Sequence, residues 1–492
     1  MTDSARHFDP HPRELLDRRA FFNRGGVNLG AAALGWLLAR DVSGQEPPPP
    51  PPSLAARSPL APKPAHFPAR ARSVIFLNMA GAPPQLDMLD FKPTLKRLGE
   101  QGARAPASLT KGERFAFIDD SAKLLPPLFP FRQVGSAGMW MSSVTDPLSD
   151  IADDICLIHG VHSDQFNHVP AALKLFTGFQ RGGRPSMGAW VTYGLGSECD
   201  NLPGYVVLSS GRGARCGGEC HGSGFLPSVY QGIALRSEGE PVLYLNNPRG
   251  FDRPLRRATL DALKVLNQAE FDAFGDPEIQ TRISQYEMAY RMQQSAPELA
   301  DLSSESAEVH DLYGVEPGKR AFANNCLLAR RLVERGVRFI QLNHGEWDLH
   351  GGPQKNIPKY CPLLCEQTMQ GTAALIKDLK RTGLLDSTLV VWGAEFGRTP
   401  MLQGELGREV GRDHHKTFSM WMAGAGVKAG HIYGETDDIG YKAVGPAMDV
   451  HDVQATILHL LGLDHERLTY RFQGRDFRLT DVHGKVHDAI FA

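Results

Sequence analysis

The stretch 384–422 constrains the fold of this chain more than any other. It contains an apolar run, 388–392, without the polar alternation of a half-exposed strand, so it is typical of a strand buried on both faces. A polar turn with Glu395 follows, then a loop carrying Arg-Asp-His-His at 412–415, and then a second apolar run at 418–423. Strands of this kind predict an α/β fold with a mostly parallel central sheet sandwiched by helices. Ligands of such sheets bind outside the carboxyl ends of the strands, where these polar loops fall.

The same arrangement of helix, short turn, strand and polar loop occurs twice in succession. A predicted helix at 320–334 leads to a strand at 337–342, and a predicted helix at 366–382 leads to the strand at 388–392. This order is the signature of right-handed βαβ winding. Three further apolar runs predict strands: 73–79, 155–158 and 205–208.

The N-terminal segment 1–45 predicts an export signal rather than part of the fold. Arg18 and Arg19 precede a soft, glycine- and alanine-rich apolar run at 25–39, which resembles a Tat signal and is short for a membrane span. A basic amphipathic helix is the alternative. The Tat pathway predicts a periplasmic or cell-surface protein, and beyond the signal no stretch is apolar enough to predict a transmembrane helix.

The remaining chain divides into a linker and one domain. The proline-rich segment 46–68 predicts an extended tether, and 69–492 predicts a single α/β domain. From about 241 to 318 the pattern becomes helical, which fits either an inserted helical subdomain or ordinary crossover helices.

Charge and cysteine content limit the partners and the compartment. With 53 basic against 55 acidic residues the net charge is −2, so no global field favours nucleic acid. Seven cysteines cannot all pair within one chain. Cys216 and Cys220, in a glycine-rich loop, can close a small disulfide in an oxidising compartment.

Three polar loops after buried strands supply candidate metal ligands. Carboxylate and imidazole together suit zinc, manganese or iron, and an oxygen-rich subset suits calcium or magnesium. Asp348 and His350 stand two apart, so on extended chain both point to one face. A hydrogen-bonded polar cluster without metal remains the alternative. The candidate ligands are Asp348, His350, Glu395, His414 and His415.

Other polar side chains near these loops are candidates for substrate contact. His162 and His168 follow the strand at 155–158 and can join the site or exchange protons near neutral pH. Arg398 and Arg412 can hold an anionic group, and the alternative for Arg398 is an ion pair with a neighbouring carboxylate.

Several motifs together resemble a known family. They are Phe166-Asn-His-Val-Pro170, Trp347-Asp-Leu-His350, Glu395-Phe-Gly-Arg-Thr-Pro400 and Gly411-Arg-Asp-His-His415. The chain from about 73 to 479 resembles the sulfatase-like bacterial family catalogued as domain of unknown function 1501, within the alkaline-phosphatase and sulfatase superfamily.

The resemblance implies a central sheet between helices with a divalent metal at the strand ends. It implies that Asp348 and His350 bind one metal and that Glu395 is the carboxylate of the other metal. It also implies that His414 or His415 is the histidine that the superfamily contributes to the site from late in the chain. The positions at which this chain differs from the superfamily pattern are equally informative. His168, with Asn167 beside it, occupies the position of the sulfatase cysteine or serine, so no hydroxyl or thiol nucleophile is available there.

Further departures concern the second metal. Asn78 or Met79 stands where the superfamily has an aspartate, and Phe396 replaces a histidine ligand. A two-metal site is therefore incomplete, whereas a one-metal site survives.

Two functions follow from this resemblance. The first is an exported metal-dependent hydrolase of sulfate or phosphate esters, with a small-molecule or glycan ester as substrate. In that case His168, Asn167 and Arg398 are the catalytic candidates, and Arg412 and His162 the substrate-binding ones. The second is a non-catalytic sulfatase-like protein that binds an anionic glycan or a cell-surface partner. Neither the substrate, nor the metal, nor the oligomeric state follows from the sequence.

Overall fold

The computed structural model describes residues 58–119, 121–211, 213–243, 245–319, 321–404 and 409–492. The predicted export signal and the first part of the predicted linker lie outside these residues. No helix of the described residues is long and apolar enough to cross a membrane.

The described chain alternates strands and helices. The strands, numbered in chain order, are β1 Ser73–Met79, β2 Phe131–Val134, β3 Met139–Ser142, β4 Ile155–His162, β5 Tyr205–Ser210, β6 Ile233–Leu235, β7 Phe339–His344, β8 Thr388–Gly393, β9 Gly397–Arg398, β10 Gln403–Gly404, β11 Val410–Gly411, β12 His414–His415, β13 Thr417–Ala423, β14 His431–Tyr433, β15 Met448–Asp449, β16 Tyr470–Phe472 and β17 Arg475–Phe477. The α-helices are α1 Gln85–Met88, α2 Pro93–Glu100, α3 Ala107–Thr110, α4 His168–Thr177, α5 Met187–Leu195, α6 Arg253–Phe274, α7 Pro277–Ala300, α8 Ala307–Tyr313, α9 Phe322–Glu334, α10 Ile357–Arg381 and α11 Val450–Leu460.

A nine-stranded sheet organises the molecule, in the order β14-β4-β13-β8-β1-β7-β5-β6, with β15 also paired to β4. The pairs along β8-β1-β7-β5-β6 are parallel. β13 runs antiparallel to both of its neighbours, β4 and β8. The predicted mostly parallel sheet is confirmed, and the antiparallel strand within it is a feature that the apolar run at 418–423 did not reveal.

Both faces of the sheet are covered, as the unbroken apolar strands predict. Successive residues of β1 point to opposite faces. Ile75 and Leu77 pack in a core with α9 and α10, whereas Val74 and Phe76 pack in a second core with α4, α5 and α11. The central strands are therefore hydrophobic on both sides, which leaves the loops at their ends as the place for polar chemistry.

Helix boundaries follow local capping. α10 begins at Ile357, nine residues before the predicted start at 366, because the Asn356 side chain accepts a hydrogen bond from the backbone N–H of Lys359 and Pro358 stands in the first turn. Within 241–318 the structure has the long antiparallel pair α6 and α7, followed by α8. Whether this segment is a separate subdomain stays a prediction.

Candidate metal centre

One edge of the sheet collects the polar loops. The parallel strands β1, β7 and β8 end there, and so does β4, whose following loop leads to His168 at the start of α4. Because β13 runs the opposite way, it begins at this edge, and the residues just before it lie beside the ends of its neighbours. His414 reaches the site for that reason. The antiparallel strand thus adds an imidazole to an edge that is otherwise built from strand ends.

Four side chains converge at this edge: His168, Asp348, His350 and His414. One potential ligand atom from each lies within 4.8 Å of all the others. The Nε2 atoms of His168, His350 and His414 lie 3.0, 2.6 and 3.3 Å from Asp348 Oδ1. A divalent ion bound by three imidazoles and one carboxylate is a common arrangement in proteins.

The carboxylate of Asp348 has more nitrogen neighbours than it can satisfy as an acceptor. Besides the three imidazoles, Arg398 Nη2 donates to the same Oδ1 atom at 2.9 Å. One oxygen atom offers two lone pairs, so four nitrogen atoms around it exceed its hydrogen-bonding capacity. His168 Nε2 is buried 3.0 Å from this oxygen, but the geometry of the contact is not that of a hydrogen bond. The crowding fits a set of ligands directed at a cation.

The second nitrogen of two imidazoles is fixed by an oxygen acceptor. His168 Nδ1 lies 2.7 Å from Glu395 Oε1, and His350 Nδ1 lies 2.8 Å from Gln403 Oε1. A proton on Nδ1 leaves the lone pair of Nε2 directed into the cluster, which is the tautomer that a metal needs. Glu395 also accepts the backbone N–H of Gly81 at 2.9 Å. The sequence-predicted ligand Glu395 therefore stands behind His168 instead of in the ligand set.

Gly81 brings the loop after β1 against the loop after β7. Its φ of +115° lies in the region that favours glycine, and a Cβ atom there would come within 2.6 Å of the backbone nitrogen of Asp348. Only glycine allows these two loops to pack this closely.

The electrostatics of the cluster differ from residue to residue. Burial alone would raise the pKa of Asp348, but its contacts with the imidazoles and Arg398 outweigh burial and hold that pKa well below the ordinary value. For His168, burial lowers the pKa, but the carboxylates of Asp348 and Glu395 outweigh burial and raise it. Burial lowers the pKa of His414 to about 4. Asp348 is therefore ionised and His414 neutral, the forms that can bind a cation, whereas the raised pKa of His168 means that a cation would have to displace a proton there.

Arg398 is fully buried and ties the loops together. Its guanidinium donates to Asp348 and to the backbone carbonyls of Gly81, Ala82, Trp347 and Arg412. It has no exposed surface. Its observed contacts are those of a positioning residue, which is the ion-pair alternative that the sequence left open.

The structure places Arg412 and His415 away from the cluster. Arg412 is fully buried and binds both oxygens of Asp87, at 2.7 and 3.1 Å, so its guanidinium does not face a substrate. His415 Nε2 lies 2.5 Å from the carbonyl oxygen of Tyr441. Adjacent residues of an extended segment point to opposite faces, so His414 and His415 cannot both enter the site. Of the two candidates, His414 lies in the four-residue cluster and His415 lies outside it.

Asn167 and His162 lie at the periphery of the site. Asn167 is exposed at the N-cap of α4, next to His168. His162 is half-buried at the end of β4, and its Nδ1 lies 3.4 Å from the carbonyl oxygen of Gly160. The structure does not bring His162 into the four-residue cluster.

The opening of the site is lined by residues that the sequence analysis did not single out. Arg215 Nη2 and Lys355 Nζ lie 2.9 and 3.2 Å from Asp348 Oδ2, and the two side chains are 42% and 47% exposed. Phe117, 62% exposed, contacts His350 and His414 edge-on. Arg215 directly precedes the Cys216–Cys220 disulfide, which the structure confirms. Neither cation follows a strand directly, so the strand-end argument could not find them.

The Phe117 loop is attached to the ligand strand. The backbone N–H groups of Ala116, Phe117 and Ile118 all donate to Asp413 Oδ2, at 3.0, 2.8 and 3.2 Å. The other oxygen of Asp413 accepts the backbone N–H of His414 at 2.7 Å. Asp413 thus attaches the loop of Phe117, which contacts His350 and His414, to the strand that carries His414.

Comparison with known proteins gives a family and several solved structures with low overall similarity. Similar solved structures include the PsFucS1 sulfatase from Pseudoalteromonas sp., at 13% identity over 80% of this chain and 68% of that one, with a TM-score of 0.34. The alkaline phosphatase from the Antarctic bacterium TAB5 matches at 9% identity over 81% and 99%, with a TM-score of 0.32. A protein in the alkaline phosphatase superfamily from Vibrio parahaemolyticus matches at 10% identity over 88% and 76%, with a TM-score of 0.34. No curated protein matches the sequence.

The family itself is established by a profile that covers most of the chain. The profile described as protein of unknown function (DUF1501) matches residues 71–491. This range contains the whole sheet and all four converging side chains. The chain belongs to this family.

Proposed function

We propose that the protein is a metal-dependent hydrolase of sulfate or phosphate esters that works without a covalent serine or cysteine nucleophile. The observation that carries the proposal is the crowding around Asp348 Oδ1, where three imidazole nitrogens converge on one carboxylate oxygen. Such a donor set suits zinc, manganese or iron, and its single carboxylate makes it poor for calcium. A bound divalent cation supplies a Lewis acid that polarises an ester oxygen and makes water more acidic.

The chain's own residues have distinct roles in this proposal. His168, His350, His414 and Asp348 hold the cation, and Glu395 fixes the tautomer of His168. Arg398 holds the surrounding loops together.

Recognition of an anionic ester rests on the half-exposed cations. Arg215 and Lys355 each contact Asp348 through one nitrogen, both side chains are partly exposed, and both groups carry further N–H donors. A guanidinium and an ammonium there suit a sulfate or phosphate group, on a small molecule or on a glycan. Asn167, exposed at the start of α4, stands next to the cluster and can hydrogen-bond the same substrate.

Export to the periplasm or the cell surface by the Tat pathway is part of the proposal. The twin arginine at 18–19 supports it, and so does the Cys216–Cys220 disulfide, since such bonds persist in oxidising compartments.

A non-catalytic binding protein for anionic glycans or a cell-surface partner is the second candidate. The observation that favours it is the side chain at the start of α4, which is His168 instead of a hydroxyl or thiol. Among the described residues, no serine, threonine or cysteine side chain is hydrogen-bonded to any of the four converging residues.

The first experiment measures metal content by elemental mass spectrometry in protein folded in the cytoplasm. We expect about one zinc, manganese or iron per chain in the native protein and almost none in His350→Ala. His415→Ala is the matched control, because His415 neighbours the site without entering it, and it should keep the metal. A native protein without metal at neutral pH would exclude the hydrolase.

A screen of sulfate and phosphate esters with the metal-loaded protein then separates the two candidates. Hydrolysis that disappears in His350→Ala supports the enzyme. Arg215→Ala and Lys355→Ala should raise KM about tenfold with a smaller change in kcat, because they bind the anion in the ground state as well. Ester binding without turnover in a metal-loaded protein would favour the binding function.

A further inference from the structure

The loop that carries Arg215 is joined to the body of the molecule through a disulfide. Arg215 reaches Asp348 Oδ2 at 2.9 Å from the loop after β5, and the next residue, Cys216, is bonded to Cys220. Cys220 is fully buried in the core that contains α4, α5 and α11. The disulfide is therefore a covalent connection between the backbone beside Arg215 and a residue fixed in that core.

The backbone after Cys220 is held by hydrogen bonds to two elements of the fold. The carbonyl oxygen of His221 accepts from the backbone N–H of Gly232, directly before β6, at 2.8 Å. The carbonyl oxygen of Gly222 accepts from the backbone N–H and the hydroxyl of Ser186, directly before α5, at 3.1 and 3.0 Å. The Cys220 end of the loop is thus fixed in place independently of the disulfide.

Packing contributes little to the backbone between the two cysteines. Gly217 and Gly218 are exposed, and apart from chain neighbours a Cβ atom at either position would have no heavy atom of the described chain within 4 Å. Their backbone hydrogen bonds are local, from Gly217 N–H to the carbonyl of Ala214 and from His221 N–H to the carbonyl of Gly218. Glycine also has wide conformational freedom. We therefore expect the cross-link to supply much of the order of this part of the loop.

The cross-link can be opened without breaking another disulfide. The chain has seven cysteines, and the five besides Cys216 and Cys220 are all free in the described residues. Cys216 is half-buried, which gives a small thiol access to one sulfur atom. The two cysteines are only four residues apart, and a loop this short receives a stabilisation at the low end for disulfides. Reduction should therefore release the Cys216 end of the loop and leave the fold intact.

We propose that the Cys216–Cys220 disulfide positions Arg215 at the metal centre, so that the affinity of the site for an anionic group depends on the oxidation state of this cysteine pair. This role rests on the proposed function, in which Arg215 binds the sulfate or phosphate group. Formation of the S–S bond removes two electrons and two protons from the two thiols, and a disulfide-bearing oxidant accepts them and becomes a dithiol. A reduced chain would hold its cation but bind anions weakly until it reaches an oxidising compartment.

Limited trypsin digestion tests the positioning of Arg215 without any ligand, because trypsin cleaves after arginine in segments that open locally. The full chain is compared in its oxidised form and after reduction with dithiothreitol, which is then removed in the absence of oxygen. Reduction should raise the rate of cleavage after Arg215 at least tenfold, on the order expected for loss of a local restraint.

Two variants control the digestion. Cys220→Ser should be cleaved after Arg215 at the reduced rate without any reductant. Cys199→Ser is the matched control, since Cys199 is a free cysteine, and its cleavage should still respond to dithiothreitol. Equal rates of cleavage after Arg215 in the oxidised and reduced native protein would overturn the proposal.

Calorimetric binding of inorganic phosphate to the metal-loaded full chain tests the consequence for the site. Reduction should raise the dissociation constant of phosphate about tenfold without changing the metal content. Arg215→Ala should weaken phosphate binding by about the same factor in the oxidised protein and should abolish the response to reduction, because the cross-link acts through Arg215.

Lys355→Ala is the matched control for phosphate binding. Lys355 is the other half-exposed cation beside Asp348, but it lies in the loop after β7, so its loss should weaken binding and preserve the response to reduction. Equal phosphate affinity of the native protein in both states, or a response that persists in Arg215→Ala, would overturn the role of the disulfide and leave the proposed function standing. A protein that takes up no metal, or binds no phosphate in either state, would contradict the proposed function as well.

Discussion

Two buried ion pairs in this molecule look alike in sequence and differ in structure. Arg398 and Arg412 lie in the same polar segment after β8, and both guanidinium groups are fully buried. Arg412 binds Asp87 through two parallel hydrogen bonds, so that pair is complete. Arg398 gives Asp348 one hydrogen bond at an oxygen atom that three imidazoles also approach. A complete pair stabilises the fold, whereas an overcrowded carboxylate has the arrangement of a binding site.

The largest effect should come from breaking the complete pair. Asp87→Asn leaves Arg412 charged and buried without its carboxylate, which should lower the free energy of unfolding by about 3–5 kcal/mol. Urea unfolding followed by fluorescence measures this. The metal content of the protein that remains folded should not change. A loss below about 1 kcal/mol would mean that the pair contributes little.

The same aspartate-to-asparagine substitution at Asp348 should act mainly on metal binding. Asp348→Asn removes a ligand and should lower metal affinity more than about a hundredfold. Its effect on unfolding of the metal-free protein should be smaller than that of Asp87→Asn, because Glu395 and Asp413 still stabilise the charge of Arg398. Chelator competition gives the affinity. Equal unfolding losses for the two variants would remove the distinction between the pairs.

Replacing Glu395, which contacts the far nitrogen of His168, should have an intermediate effect on metal affinity. Glu395→Gln keeps the size of the side chain but weakens the contact that fixes His168 Nδ1, so metal affinity should fall about 10- to 100-fold. Glu366→Gln, on the exposed face of α10, is the control and should bind metal normally. Normal affinity in Glu395→Gln would show that the tautomer of His168 is set by other groups.

The smallest effect is on the pH dependence of stability and comes from His344. Unlike His168, this buried histidine has no carboxylate beside it to offset its burial. Burial lowers the pKa of His344 to about 4, whereas that of His168 is raised. The unfolded chain binds the His344 proton near pH 6.5 and the folded chain only near pH 4, so stability is lost as the pH falls through this window. Between pH 7 and 5.5 this group should cost about 1 kcal/mol. His344→Asn should remove that part of the pH dependence, measured by urea unfolding at both pH values. If the stability of His344→Asn changed with pH as much as that of the native protein, the prediction would be wrong.

The sequence was most informative where burial is complete. The runs without polar alternation located β1, β7 and β8, and the loop after β7 pointed to Asp348 and His350. The direction of a strand within the sheet was harder to predict. An apolar strand such as β13 is buried on both faces whether it runs parallel or antiparallel to its neighbours. Only the fold shows that β13 starts at the edge where the others end.

The roles of individual polar residues could not be read from the sequence for a related reason. Which of His414 and His415 enters the site depends on the pleat of a two-residue strand, and no local signal fixes that phase. Glu395 was predicted as a ligand and His168 as a catalytic residue, yet the two are partners across 227 positions of chain. Arg215 and Lys355 lie farther along the loops after β5 and β7, away from the strand ends, so only three-dimensional proximity reveals them.

The double attachment of Asp413 links access to the site with its geometry. One oxygen of this carboxylate holds the loop of Phe117, and the other holds the backbone of His414. A bulky molecule that pushes Phe117 aside would pull on the residue that precedes His414, so admission of such a molecule would disturb the imidazole itself. The position of the loop that carries Phe117 and the position of one imidazole of the cluster are therefore mechanically coupled through a single carboxylate.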